Sequence, residues 1–302
     1  MIVCVGEILA DLIAKRTDEG IAYSRHAGGA PFNVACGIKK LGGSAEFYGS
    51  VGNDLIGAFL KEFASARGLG SHIKSVSDRN TTLAFVDLNE DGDRSFCFYR
   101  KRTADYCFDE SEIDGIVERA DIVHLGSLAL SEAEGRAFYD KLIAAAHRKG
   151  KRVSFDANYR DDIFPDQKTA LKIYEKYLAA ADILKLSEDE LKLFSKEKDE
   201  ERAAQSLSHG KMLFVTLGKR GSLFSENGGS AVRIGAPDLK PVDTTGAGDA
   251  YYAGVLYTLD TEGVQAVESA MKRGSVCGTL TTQQKGAIEA FPDPEKIAEY
   301  LS

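Results

Sequence analysis

The chain has 302 residues, 43% of them hydrophobic and 28% charged, the balance of a soluble globular protein long enough to bury a large core. A net charge of −8 offers no general attraction for nucleic acid or an anionic membrane, so any phosphate site has to be built locally. Apolar runs are short and broken by charge, and the opening MIVCVGEILADLIAKR meets an acid within seven residues, which fits a buried strand and not a signal peptide or a membrane span. The five cysteines are widely spaced with no CxxC pair and read as reduced thiols of a cytoplasmic protein. The five histidines form no HxH or HExxH pattern, which argues against zinc, and His124 at the end of DIVHLG reads as a strand-end or core histidine.

No repeat, low-complexity tract or long linker divides the chain, so residues 1–302 read as one domain. After the first strand, about 11–29 and 81–105 carry period-2 patterns such as TTLAFVDL and RSFCFYR, with NEDG between these two as a hairpin turn. Strands with no helix between them do not easily join a parallel sheet, so a small separate sheet is expected. It reads either as a lid over a site at the ends of the main strands or as an ordinary edge extension. From Asp121 onward short apolar runs alternate with amphipathic segments: DIVHLG, SEAEGRAFYDKLIAAAHRKG, KRVSFDA, ADILKLS and KMLFVTLG. Strand and helix in alternation imply right-handed crossovers and a mostly parallel sheet covered on both faces, an α/β fold of three layers, α/β/α.

The most informative stretch is PVDTTGAGDAYYAGVLYTL at 241–259. Thr244 and Thr245 can cap a helix, Gly246 and Gly248 let backbone approach a ligand, and an apolar helix follows. Amides at such a helix start make a seat for an anion such as phosphate. Asp249 would sit in the first turn beside it. A carboxylate there is a poor phosphate ligand but a good base for the hydroxyl that attacks phosphorus. The alternative is an acid that merely complements the helix dipole. The glycine spacing fails the dinucleotide fingerprint, since Tyr251 stands where a third glycine is wanted, and no GxxxxGK[ST] loop is present.

DTTGAGDAYYAG, from Asp243 to Gly254, resembles the C-terminal signature of the PfkB, or ribokinase-like, sugar kinases, and GGAPFNVACGIKKLGG, from Gly28 to Gly43, resembles their N-terminal pattern. The likeness extends through FYRKRTAD, SFDANYR, LKLSEDEL, VTLGKRGS and TTQQKGAIEAFP over almost the whole chain, most of all in the manner of a fructokinase. It implies a ribokinase-like fold with a β-sheet lid, and ATP with Mg2+ as phosphoryl donor. Asp249 would be the catalytic base, with the amides of Gly246, Ala247 and Gly248 around the transferred group. Asp11, Gly28, Gly29 and Asn33 would hold the sugar, with Arg100, Asn158 and Arg160 helping to orient it.

For the nucleotide the likeness points to Lys185, Thr216, Gly218 and Gly221, and to Cys277 and Thr281 beside the adenine. The NxxE motif of many relatives becomes Ser187-Glu188-Asp189-Glu190, so Glu190 would meet Mg2+ through water, or SEDEL is simply an acidic helix start. Asp243 and Thr245 fall where several relatives hold K+. D-fructose is the acceptor this pattern favours. A kinase for 2-keto-3-deoxygluconate, and a catalytically silent sugar-binding or regulatory protein on the same fold, are the alternatives, with nucleosides more distant. Bare lid strands also make room for a lid-to-lid homodimer.

Overall fold

The computed structural model describes residues 1–18, 20–88 and 94–301. The chain runs through β1 (Ile2–Val5), β2 (Leu9–Thr17), β3 (Gly20–Gly28), α1 (Ala30–Lys40), β4 (Ala45–Gly52), α2 (Leu55–Ser65), β5 (His72–Val76), β6 (Leu83–Leu88) and β7 (Arg94–Tyr99). Then follow α3 (Ile113–Arg119), β8 (Ile122–Leu125), α4 (Ala133–Arg148), β9 (Arg152–Asp156), α5 (Gln167–Ala180), β10 (Ile183–Ser187), α6 (Glu188–Ser195), α7 (Glu200–Leu207) and β11 (Met212–Thr216). The last elements are β12 (Ser222–Glu226), β13 (Val232–Ile234), α8 (Ala247–Thr261), α9 (Val267–Thr281) and α10 (Pro294–Leu301).

Among the described residues one large sheet has the order β13-β12-β11-β10-β9-β8-β1-β4-β5. It is parallel from β11 to β5, and only β12 and β13 run antiparallel. Successive residues of a strand point to opposite faces, so a strand buried on both sides is apolar throughout. β1 shows it: Ile2 and Cys4 join the core under α1, α2, α8, α9 and α10, whereas Val3 and Val5 join the core under α3 to α7. His124 belongs to this interior. It is wholly buried, its Nδ1 lies 3.1 Å from the Ser154 hydroxyl, and burial depresses its pKa to about 3, so it is a neutral core histidine.

The period-2 stretches form a second sheet, β3-β2-β6-β7, in which β2 pairs antiparallel with β3 and parallel with β6. The NEDG segment expected to turn between β6 and β7 lies outside the described residues. Register puts Asp11 opposite His26 and Ile13 opposite Ser24, so these four side chains share one face, turned to the C-terminal ends of the large sheet.

α8 lies so close to α9 that only glycine fits between them: a Cβ on Gly274 would stand 2.8 Å from the Tyr251 carbonyl oxygen. Since α8 carries the Asp249 segment, this packing fixes its height over the sheet. Gly274→Val should force the helices apart and lower stability by about 1–3 kcal/mol, read from the urea midpoint at unchanged m.

Candidate active site

The site is built where α8 begins. Gly246 takes φ 73° as the residue before the helix, a conformation that glycine adopts without strain, and a Cβ there would lie 2.4 Å from that of Ala287. Thr245 does not cap α8 as the sequence suggested. Its amide and hydroxyl donate to Asp243 Oδ1 at 3.0 and 2.8 Å, while Asp243 Oδ2 accepts from the Gly286 amide at 2.9 Å. The carboxylate of Asp243 thus staples the glycine loop to the 286 segment and leaves the helix start uncapped by any side chain.

A cavity of about 1590 Å³ opens there, between the large sheet and the inner face of the second sheet. Gly246, Gly248 and Asp249 line it. Ala247 does not, and its amide donates to the Thr244 carbonyl at 3.3 Å, so the cradle expected from the amides of Gly246, Ala247 and Gly248 is reduced on this wall. Asn33, 216 positions away on α1, donates from Nδ2 to Asp249 Oδ2 at 2.7 Å. Its own Oδ1 is buried with no partner among the described residues. Burial holds the Asp249 carboxyl above the ordinary carboxylate range, and the Asn33 hydrogen bond, Lys185 and Arg160 pull it back.

Lys185, in the middle of β10, reaches the same wall: a Cβ on Gly248 would lie 3.2 Å from its ammonium. Its Nζ is 3.0 and 3.1 Å from the two oxygens of Asp156. Burial pushes Asp156 up to about 7, with Lys185 opposing, whereas Lys185 itself is held above its ordinary value by Asp156, Glu190 and Asp249 acting against burial. The ammonium therefore stays charged beside the start of α8.

The sugar residues named from the sequence mostly converge. Asp11, Gly29, Asn33, Asn158 and Arg160 line the cavity. Gly28 does not, but a Cβ there would lie 2.2 Å from Asp11 Oδ2, so it gives that carboxylate its space. Gly29 has φ 111° and backs onto the Glu7 carbonyl, where a Cβ would stand 2.4 Å away. Arg100 is a correction. It is not among the lining residues, and its guanidinium bonds Asp105, the Ser131 hydroxyl at 2.8 Å and the Leu128 carbonyl at 3.1 Å, because a buried cation is held by whatever anion is buried with it.

The nucleotide side converges less. Cys277 and Thr281 are wholly buried on the core side of α9, with the Thr281 hydroxyl donating to the Cys277 carbonyl, so neither borders an open adenine site. Thr216 ends β11, and Gly218 and Gly221 shape the turn after it. A Cβ on Gly221 would lie 2.0 Å from the Ile234 carbonyl oxygen. Glu190 closes a capping box with Ser187 and also accepts the Tyr159 amide at 2.6 Å, so its two oxygens serve backbone. The reading of SEDEL as a helix start is the one its bonds match.

The cavity also takes in residues that sequence reasoning passed over, among them Glu7, Lys15, His26, Phe98 and Lys285. Lys15 and His26 were within reach, since Lys15 shares strand parity with Asp11, and His26 is its cross-strand partner.

Against known proteins, the sequence matches the pfkB family carbohydrate kinase pattern over residues 1–294. The chain belongs to this family. It is 33% identical over 318 residues to probable fructokinase-7 of Arabidopsis thaliana, covering 100% of this chain and 92% of that protein. Among solved structures it resembles fructokinase from Xylella fastidiosa with bound ATP, at TM-score 0.90 and 29% identity over 99% of this chain and 97% of that one. It equally resembles a double mutant of fructokinase from Vibrio cholerae O395 with fructose, ADP and potassium ion bound, at TM-score 0.90 and 30% identity over 100% and 98%. The fold is therefore ribokinase-like, and the chain is a carbohydrate kinase, a phosphotransferase with an alcohol group as acceptor.

In this pfkB-family chain the bond from Asn33 lowers the pKa of Asp249, so its loss must raise it. Asn33→Ala is expected to move the acid limb of the kcat/KM profile to higher pH and to lower kcat/KM by about tenfold or more at neutral pH. A pH series on the purified variant checks both.

Proposed function

We propose that this chain transfers the γ-phosphoryl group of ATP to the primary hydroxyl of D-fructose, giving fructose 6-phosphate and ADP. One observation carries the reading: the N-terminal motif and the glycine-rich motif meet in the 2.7 Å bond between Asn33 and Asp249, which puts the carboxylate between the sugar-facing wall and the uncapped start of α8. Asp249 takes the proton of the attacking hydroxyl. Gly246 and Gly248 bring backbone up to the transferred group, and Lys185 offers it positive charge. Asp11 and Asn33 accept and donate to sugar hydroxyls, and Asn158 and Arg160 orient the ring from the ends of the large sheet.

Magnesium supplies charge neutralisation on the phosphates when bound with ATP. Among the described residues no group of three or more His, Cys, Asp or Glu could cage a metal, and Glu190 is spent on backbone, so the ion would be held by phosphates and water rather than by a protein cage. Potassium would sit near Asp243 and Thr245, where its charge would steady the stapled loop; the Vibrio cholerae fructokinase structure, with potassium ion bound, supports use of the ion. The named fructokinases among the relatives support fructose over other sugars. Arg160 in the cavity favours the keto-deoxy acid as second reading, but with Arg100 bound to Asp105 an acid would have a single clamp there.

β3 and β7 are the edges of the second sheet, and exposed Tyr23 and Tyr99 flank Phe85 on its outer face, at ring distances of 5.2 and 5.1 Å. We take this sheet as the lid, and a lid-to-lid homodimer as the assembly it suits. No helix among the described residues is long and apolar enough to cross a membrane, and the free cysteines suit a cytoplasmic setting.

Steady-state assays with ATP·Mg2+ test the reading. kcat/KM for D-fructose should exceed that for 2-keto-3-deoxygluconate, ribose and glucose by about tenfold or more, and a preference for the acid that is lost in Arg160→Ala would replace fructose as the substrate. Asp249→Asn should keep the fold and ATP binding while lowering kcat by about a hundredfold or more; near-normal turnover would dismiss Asp249 as the base. With Mg2+ fixed, exchanging K+ for a bulky organic cation should lower the rate, and equal rates would remove potassium from the site.

A further inference from the structure

Glu7 lies between β1 and β2, where the chain leaves the large sheet for the second one, and it is wholly buried. Both of its carboxyl oxygens are buried, and no other described residue hydrogen-bonds them; only its own backbone amide bears on the carboxyl. The residue nevertheless lines the cavity. On its other side the space is closed: a Cβ on Gly126, just beyond β8, would lie 2.4 Å from Glu7 Oε2 and 2.6 Å from the Pro31 ring of α1. The carboxyl is thus closed off on that side, and the residue as a whole borders the cavity.

The charged and titratable groups that face it come from every element around. Arg100 and Asp105 follow β7, Asp249 opens α8, Tyr139 is on α4 and Tyr174 on α5. Arg100 is already bound to Asp105, and the Tyr139 hydroxyl donates to the Val5 carbonyl at 3.1 Å. An unpartnered buried acid weakens a fold, and an apolar side chain of its size would serve packing better. A buried acid with no other side chain to satisfy it calls for a physical explanation, and a ligand in the adjoining cavity supplies one.

We propose that Glu7 is the polar floor of the acceptor site, hydrogen-bonding a hydroxyl of the bound sugar directly or through one buried water. This rests on the cavity being the acceptor site. The role needs a donor as well as an acceptor, because Asp11 and Asp249 already present acceptors to the same ligand. Burial first, then the nearby Asp105 and Asp249, push the Glu7 carboxyl up to about 8, so at neutral pH it is an acid with a proton to give. Above that range it ionises, loses its proton and faces two carboxylates.

The stability linkage has a definite sign. A carboxyl whose pKa is raised by folding leaves stability intact below its ordinary value of 4.5 and drains it as pH rises toward about 8.

Glu7→Gln keeps shape and a donor, and Glu7→Met keeps volume but offers none. With purified full-length protein, Glu7→Met is expected to raise KM for D-fructose by about tenfold or more at unchanged KM for ATP, while the sugar-free protein melts at or above the wild-type temperature. Glu7→Gln is expected to stay within about threefold of wild type at pH 7 and to lack the loss of kcat/KM expected of wild type above pH 8. Its melting temperature should also fall less between pH 5 and 8 than that of wild type. A wild-type fructose KM in Glu7→Met overturns the proposal. So does a Met variant that fails to fold or melts lower with both KM values altered, which would make Glu7 a packing residue, or a Gln variant with the wild-type basic limb. If wild type does not phosphorylate D-fructose, the substrate reading fails first; the same variants are then assayed with the sugar it does accept, and the two melting comparisons need no sugar at all.

Discussion

A carboxylate stands buried in the wall proposed to seat phosphate, and the groups that pull its pKa down come from across the fold. Burial works against Asp249, raising its pKa. What holds it back is the Asn33 amide together with the nearby positive charges of Lys185 and Arg160. Those three groups arrive from α1, from the middle of β10 and from the segment after β9, so the charge state of one side chain depends on the register of the sheet and the docking of two helices on the same face of it. Glycines at 246, 254 and 274 serve this by letting α8 start where it does and lie against α9.

The chain is acidic overall, and the cavity keeps that character: Asp11, Glu7 and Asp249 line it, with Asp156 and Glu190 behind Lys185. Such a site would repel a polyphosphate if all of these charges stood free. They do not. Asp156 shares the ammonium of Lys185, Glu190 caps α6 and the Tyr159 amide, Asp243 staples the glycine loop, and burial keeps a proton on Glu7. Structural hydrogen bonds and raised pKa values thus offset the surplus, and the positive ends that remain, the start of α8 and Lys185, are the groups proposed to meet phosphate.

Arg100 and Cys277 show where reading by motif stops. Arg100 lies in FYRKRTAD, a segment that carries the family pattern, and Cys277 just before another, and neither lines the cavity. Which way a side chain points depends on the partner buried with it. For Arg100 that partner is Asp105, five residues on, and the spacing alone does not tell a sugar clamp from an internal ion pair. For Cys277 the helix phase puts it under α8, and the sequence around it is apolar on too many sides for periodicity to choose a face.

The sequence by itself determined the alternation of strand and helix, the separate period-2 sheet, the glycine loop with its acid and the family, because these depend on spacings and turn chemistry within a few residues of one another. Only the tertiary structure decided that Asn33 holds Asp249 across 216 positions, that Glu190 is consumed by backbone, that Arg100 is locked to Asp105 and that Glu7 faces the cavity without a partner. Each of these is a contest between partners distant in the chain for one buried polar atom. The outcome is set by which groups the sheet order and helix docking bring within hydrogen-bond reach, and local patterning carries no record of it.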